Sequence, residues 1–210
     1  SLWADTIKKS PDGAIPQANY ADALLHDRGK TDEAIEHLQI AARLRPLDPQ
    51  IHHNLGIAYS RKGLDDKALE HFEMAIRGKP GDAKAHHDLG NAYARAGRVD
   101  RAISEFQAVL TLQPDNAEAR YNLGTAYDRS GRLDLAIEQY EIALRLRPDY
   151  ADVRNNLGIA YGQKGMIDKA IEQFQAAIRL VPGDASYHAN IAHAYALKGW
   201  HGKAEEHRQL

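Results

Sequence analysis

Five prolines set the folding problem for this chain: Pro46, Pro80, Pro114, Pro148 and Pro182 recur every 34 residues, and Pro11 precedes the first of them by 35. A fixed period of this length means that each unit buries its apolar face only against its neighbours, so chain length is a weak guide to domain count. Aligned on the prolines, the sequence falls into columns. Leu55, Leu89, Leu123, Leu157 and Ile191 form one, followed by Gly56, Gly90, Gly124, Gly158 and Ala192, and then by Tyr59, Tyr93, Tyr127, Tyr161 and Tyr195. Their spacing is the apolar stripe of a first helix. Later in each unit stand Gly29, Gly63, Gly97, Gly131, Gly165 and Gly199, then Ala34, Ala68, Ala102, Ala136, Ala170 and Ala204, and then Leu38, Phe72, Phe106, Tyr140 and Phe174. These predict a turn and a second helix.

Each column has a physical task. Glycine inside a helix costs about 1 kcal/mol against alanine, so its return at one place predicts two helix backbones meeting where no Cβ fits, with the recurrent alanine serving the same contact. The turn glycines suit the left-handed conformation that ends a helix, and Asp32, Asp66, Asp100, Asp134 and Asp168 are expected to cap the second helix. Proline stops that helix, while Asp48, Asp82, Asn116 and Asp184 are placed to cap the next first helix.

This 34-residue pattern of Leu-Gly, Tyr, Ala, aromatic and Pro resembles the tetratricopeptide-repeat (TPR) family over nearly the whole chain. The resemblance implies an all-α fold, a right-handed α-solenoid of about six stacked helix-turn-helix repeats, with a concave face lined mainly by the first helices. The expected organisation is a single solenoid over 1–210: a half-repeat at 1–11, repeats at 12–48, 49–82, 83–116, 117–150 and 151–184, and a capping repeat at 185–210. Trp3 falls at the aromatic column of the half-repeat. The extra residue of the first full unit is assigned to the end of its first helix, before Gly29. In the capping repeat Glu205 and Arg208 replace apolar residues, which suits a solvated cap.

Composition narrows the functional classes. Lys and Arg total 27 against 29 Asp and Glu, a formal charge of −2 that gives no general attraction to nucleic acid or anionic lipid. Neither a signal-peptide pattern nor an apolar run long enough for a membrane span is present, so no direct membrane insertion is expected. Zero cysteines remove disulfides and thiolate metal sites while leaving the compartment open. No phosphate loop, H-E-x-x-H or G-x-S-x-G signature occurs, and the expectation is no enzyme, no cofactor and no metal.

Binding residues are sought in the columns facing the groove. The sixth place of the unit holds Asn19, Asn54, Asp88, Asn122, Asn156 and Asn190. An amide donates and accepts, matching a peptide backbone without reading its sequence. This ladder is similar to the asparagine ladder of the TPR superhelix in O-linked N-acetylglucosamine transferases, a resemblance that implies an extended chain held at these positions. Such amides can equally bond between helices, and Asp88 would reject a carbonyl or welcome a basic residue. One place earlier stand His53, His87, Tyr121 and Asn155, and Arg61, Arg95 and Arg129 recur near the helix ends. An arginine row can hold carboxylates or phosphates, or can simply complement helix dipoles. His87, Asn91 and Asn122 resemble part of the carboxylate clamp of chaperone-binding TPR proteins, but Asp152 and Asn156 stand where that clamp needs Lys and Arg. His52 and His86 are read as large packing residues rather than metal ligands.

The leading expectation is a scaffold that binds a protein or peptide segment in the concave groove. Two others stand beside it: the substrate-recognition arm of a larger glycosyltransferase-like or membrane-anchored protein, and a self-assembling homo-oligomer. The expected location is cytoplasmic, or periplasmic or luminal for the tail of a membrane protein.

Overall fold

The computed structural model describes residues 13–209; the half-repeat expected at 1–11, with Trp3 and Pro11, lies outside the described residues. The chain packs as two compact units, Ser1–Leu112 and Gln113–Leu210. Unit 1 contains α1 (Ala14–Leu25), a 3-10 turn (Arg28–Lys30), α2 (Thr31–Leu44), α3 (Pro49–Arg61), α4 (Asp65–Gly78), α5 (Ala83–Arg95) and α6 (Val99–Leu112). Unit 2 contains α7 (Ala117–Arg129), α8 (Leu133–Leu146), α9 (Ala151–Gln163), α10 (Ile167–Leu180), α11 (Ala185–Leu197) and α12 (His201–Arg208). Among the described residues there is no strand, and no helix is long and apolar enough to cross a membrane. Within each unit every helix packs on the next, and successive first helices also touch, the pattern of a helical-repeat solenoid.

The turn between the paired helices repeats almost unchanged. Gly63, Gly97, Gly131, Gly165 and Gly199 have φ between 71° and 76°. The Gly63 N–H reaches the Ser60 carbonyl at 3.1 Å, and the Leu64 N–H reaches back to that of Tyr59 at 3.0 Å, closing a Schellman motif. Gly29 departs from the column. The extra residue of the first repeat makes a five-residue turn, 26–30, in which Gly29 sits in the 3-10 segment and donates to Asp27 at 3.0 Å.

The expected caps of the second helices are not caps. Asp32, Asp66, Asp134 and Asp168 lie one residue inside the first turn, and the N-cap positions are Lys30, Leu64, Arg132 and Met166, without side-chain cap bonds. With only three residues in the turn, the position after glycine must serve twice. It closes the Schellman motif of the first helix, where a large side chain packs over the repeat tyrosine, and it opens the second. Trp200 against Tyr195, with ring centroids 5.7 Å apart, and Arg132 over Tyr127 at 5.8 Å show that packing. The displaced aspartates favour the helix dipole and pair with the next repeat: Asp32 with Lys62, Asp66 with Arg98 at 3.3 Å, Asp134 with Lys164 and Asp168 with Lys198. By contrast, Asp48, Asp82, Asn116 and Asp184 do cap α3, α5, α7 and α11.

The glycine of the first helix faces a ring rather than another backbone. A Cβ at Gly56, Gly90, Gly124 or Gly158 would stand 2.5–2.7 Å from the rings of Phe72, Phe106, Tyr140 or Phe174. Where the ring is absent the glycine is too: Ala21 accompanies Leu38, and Ala192 accompanies Arg208. The repeat tyrosines are buried, and Tyr59, Tyr93, Tyr161 and Tyr195 tie their first helices to the second helix before each. Gln39 and Gln175 donate to Tyr59 and Tyr195 at 3.0 and 2.9 Å, while Tyr93 and Tyr161 donate to Glu73 and Glu141 at 2.5 and 2.6 Å. Burial and the Glu141 bond push the Tyr161 hydroxyl up to about 12.

A further lock recurs with changing chemistry. His52, His86 and His188 each donate Nε2–H to the carbonyl of the repeat proline six residues back, at 2.8–2.9 Å. Arg120 and Arg154 reach the carbonyls of Pro114 and Pro148 at 3.3 and 2.8 Å. The other side of each head meets the second helix of its own repeat, at His71, Glu105, Gln139, Gln173 or His207. His52 and His86 thus fill the helix-packing place and also lock the repeat. In the capping repeat Ala204 is buried, whereas Glu205 and Arg208 are exposed and paired at 3.4 Å.

Candidate functional site

The candidate residues lie on first helices, where the fifth and sixth places of successive helices come together within each unit. In unit 1, His53 on α3 donates Nε2–H to Asp88 Oδ2 on α5 at 2.8 Å. His87 Nδ1 stands 3.8 Å from the other oxygen of the same carboxylate. Burial alone would raise the Asp88 carboxyl, but the hydrogen bonds and charge of His53 and His87 outweigh it and hold the group far below the usual carboxylate range. Its negative charge is therefore committed to two imidazoles. Asn91 approaches His87 Nδ1 at 3.4 Å.

Asn54 is only 5% exposed; it accepts from Gln50 at 2.9 Å and donates to Asp22 on α1 at 3.5 Å. Asn19 on α1 is half-buried. Arg61 donates to the carbonyl of Leu25 at the end of α1. Arg95 donates to Ser60 on α3 and lies 3.6 Å from Asp65. Both arginines therefore reach across to the preceding first helix.

In unit 2 the cross-helix pairing has a polar and aromatic character. Asn156 on α9 donates to the Tyr121 hydroxyl on α7 at 3.2 Å, and Asn190 on α11 donates to Asn155 on α9 at 2.8 Å. Asn155 is buried, while Tyr121, Asn122, Asn156 and Asn190 are half-buried. Arg129 is exposed in the last turn of α7. Sequence reasoning missed Tyr150, Arg147 and Tyr187 beside this group. Tyr150 stands where other repeats have a capping side chain; it packs 5.3 Å from Tyr121 and receives the Arg147 guanidinium at 4.3 Å. The buried Tyr187 donates to exposed Asp152 at 2.6 Å. Burial and the Asp152 carboxylate raise the Tyr187 hydroxyl well above its ordinary range. The signal was available in Tyr150, which breaks the Asp/Asn cap column.

Among the described residues no group of three or more His, Asp or Glu is arranged to hold a metal ion. What the face offers is a set of amides, hydroxyls and imidazoles fixed in orientation by their neighbours. Such groups can meet a peptide backbone at little entropic cost.

A family model described as "Tetratricopeptide repeat" matches residues 87–151, 121–185 and 155–207, a second of the same description matches 51–84, and one described as "TPR repeat" matches 23–63. Among solved structures, MamA MSR-1 C2 is 32% identical, with 79% of this chain and 97% of that chain covered and a TM-score of 0.69. MamA 41-end from Desulfovibrio magneticus RS-1 is 28% identical over 76% of this chain and 90% of that one, at 0.72. YrrB, described as a TPR protein with an unusual peptide-binding site, shares the fold at 24% identity, covering 89% and 96% at 0.77. No curated protein matches the sequence.

Proposed function

Because the chain belongs to the tetratricopeptide-repeat family, we propose that it is a binding scaffold, without chemistry of its own, that holds a peptide or extended partner segment against the face of its first helices. The observation that carries this reading is the pairing of fifth and sixth places across helices. Asn156 donates to Tyr121 and also reaches the Tyr140 hydroxyl, which fixes its rotamer, while Asn190 spends one amide hydrogen on Asn155 and keeps its carbonyl oxygen and second hydrogen for a ligand. The orientation cost of those bonds is met before a ligand arrives. The peptide-binding site of YrrB supports the same use of the fold.

The test is selection from a library of random dodecapeptides on the immobilised chain, followed by affinity measurement on an Asn122→Ala/Asn156→Ala variant. Asn54 is left intact because it is buried and bonded within unit 1. Far-UV circular dichroism and the thermal midpoint check that the variant folds. Peptides enriched by the parent should bind the variant about tenfold more weakly or worse, roughly the loss of one or two hydrogen bonds. Equal binding to both proteins, or no enrichment at all, would reject the reading.

A further inference from the structure

Between α9, α10 and α11 lies a cavity of about 310 Å³, opening on the first-helix face of unit 2. Its origin can be read by comparing repeats. At the thirteenth place of the unit Arg61 and Arg95 reach over to the preceding first helix, one to the Leu25 carbonyl and the other to Ser60. In the last repeat that place holds Leu197, which has no polar head, and opposite it, where Ser60 stands in the second repeat, is Gly162. A Cβ at Gly162 would meet only the Ala170 methyl, at 4.0 Å. The strut is missing and the space behind it is open. Leu197 is left 60% exposed.

The lining is apolar inside and amidic around it. Ile159, Ile167, Phe174 and Leu197 contribute hydrocarbon, and Gln163, Asn190 and His193 contribute polar groups. No lining residue carries a fixed charge. An ammonium or carboxylate entering it would lose water without gaining an ionic partner. A large apolar side chain would instead cover hydrocarbon now facing water, and its backbone would pass amides that both donate and accept. The volume lies at the small end of the range of about 300–1,000 Å³ for ligand sites, suited to one side chain rather than a helix.

We propose that this cavity is a specificity pocket for a single large uncharged apolar side chain, Leu, Met or Phe, carried by an extended peptide on the α9–α11 face. This rests on the groove reading above and adds a choice of sequence that the amide ladder lacks. A foreign peptide is the committed occupant, because an anchor flanked by a hydrogen-bonding backbone fits the pocket and its amides together.

The experiment uses the dodecapeptides selected on the full chain. Gly162→Leu fills the pocket from a helical position with room for a side chain, and Leu197→Asn removes its apolar wall from an exposed position; both are checked by thermal midpoint. Selected peptides should share one large apolar residue. Changing it to Ala, or introducing Gly162→Leu, should each weaken binding about tenfold or more, and the two changes together should cost no more than either alone. Full additivity, or unchanged binding to both pocket variants while Asn122→Ala/Asn156→Ala still weakens it, overturns the pocket and leaves the groove reading standing. Failure to enrich any peptide overturns both. A dimer seen by light scattering that Gly162→Leu abolishes would assign the pocket to a second copy of the chain and overturn the foreign-peptide proposal.

Discussion

Gly158 and Gly162 stand one turn apart on α9 and make different use of a missing Cβ. At Gly158 the Phe174 ring fills the place a methyl would take, 2.6 Å away; at Gly162 nothing comes nearer than 4.0 Å. Alanine is the better helix former by about 1 kcal/mol, so Gly162→Ala should stabilise the chain by up to about that amount. Gly158→Ala should destabilise it by up to about 2 kcal/mol, because the overpacking cost of about 1–3 kcal/mol outweighs the propensity gain of about 1 kcal/mol. Chemical denaturation of the two variants checks the sign. Both glycines are visible in the sequence, and the recurrence at Gly56, Gly90, Gly124 and Gly158 identifies a crowded place. What crowds it was not legible, since periodicity locates a residue on a helix but does not say whether a backbone or a ring lies opposite. The covariation of Ala21 with Leu38 was the available clue.

Between elements, the heads at positions 52, 86, 120, 154 and 188 lock each first helix to the proline turn and to the second helix. This column escapes sequence reading because His and Arg share no size or charge class at neutral pH; they share only reach and an N–H donor. Two of the locks are imidazole pairs, His52 with His71 at 3.0 Å and His188 with His207 at 2.7 Å. Since the Nε2–H of His52 is given to Pro46, its Nδ1 must accept, and His71 must donate. Burial first, then the neighbouring imidazole, lowers the pKa of both His71 and His207 below about 6.5. As pH falls through about 6.5 the unfolded chain takes up protons that the folded one resists, so stability should decline there and level off once these imidazoles protonate in the fold. The chain uses Gln139 and Gln173 at the equivalent places, so a His71→Gln/His207→Gln variant should fold. Its thermal midpoint should drop less than the parent's between pH 7.5 and pH 5.5; an equal drop would locate the sensitivity in other histidines. Element boundaries were largely legible from Pro, Gly and the Asp48-type caps. Asp66 and its counterparts were misassigned because one turn residue serves both helices, a constraint that spacing alone does not express.

At the scale of the whole chain, each unit draws its stability from one repeat meeting the next within it, not from one shared core. Phe174→Ala should cost about 2–5 kcal/mol locally. Hydrogen exchange should quicken in α9 to α12 while amides in α1 to α4 keep their rates, whereas a uniform acceleration would indicate one cooperative core. The helical-repeat fold was legible, and the ladder positions were legible as columns; their pairing across helices was not, because the partners are as different as His53 and Asp88 or Tyr121 and Asn156. That contrast bears on how such a chain can grow. Each lock joins two residues of one repeat, such as His52 with His71 or Arg120 with Gln139, and needs only a proline carbonyl from the repeat before. A duplicated gene segment one repeat long carries its lock with it, ready for any neighbour. The fifth-to-sixth pairs join different repeats, so a copied or transposed segment arrives with the wrong partner. On these contacts, adding or removing a repeat disturbs little beyond its junctions, whereas reordering repeats breaks pairs that only matched substitutions restore.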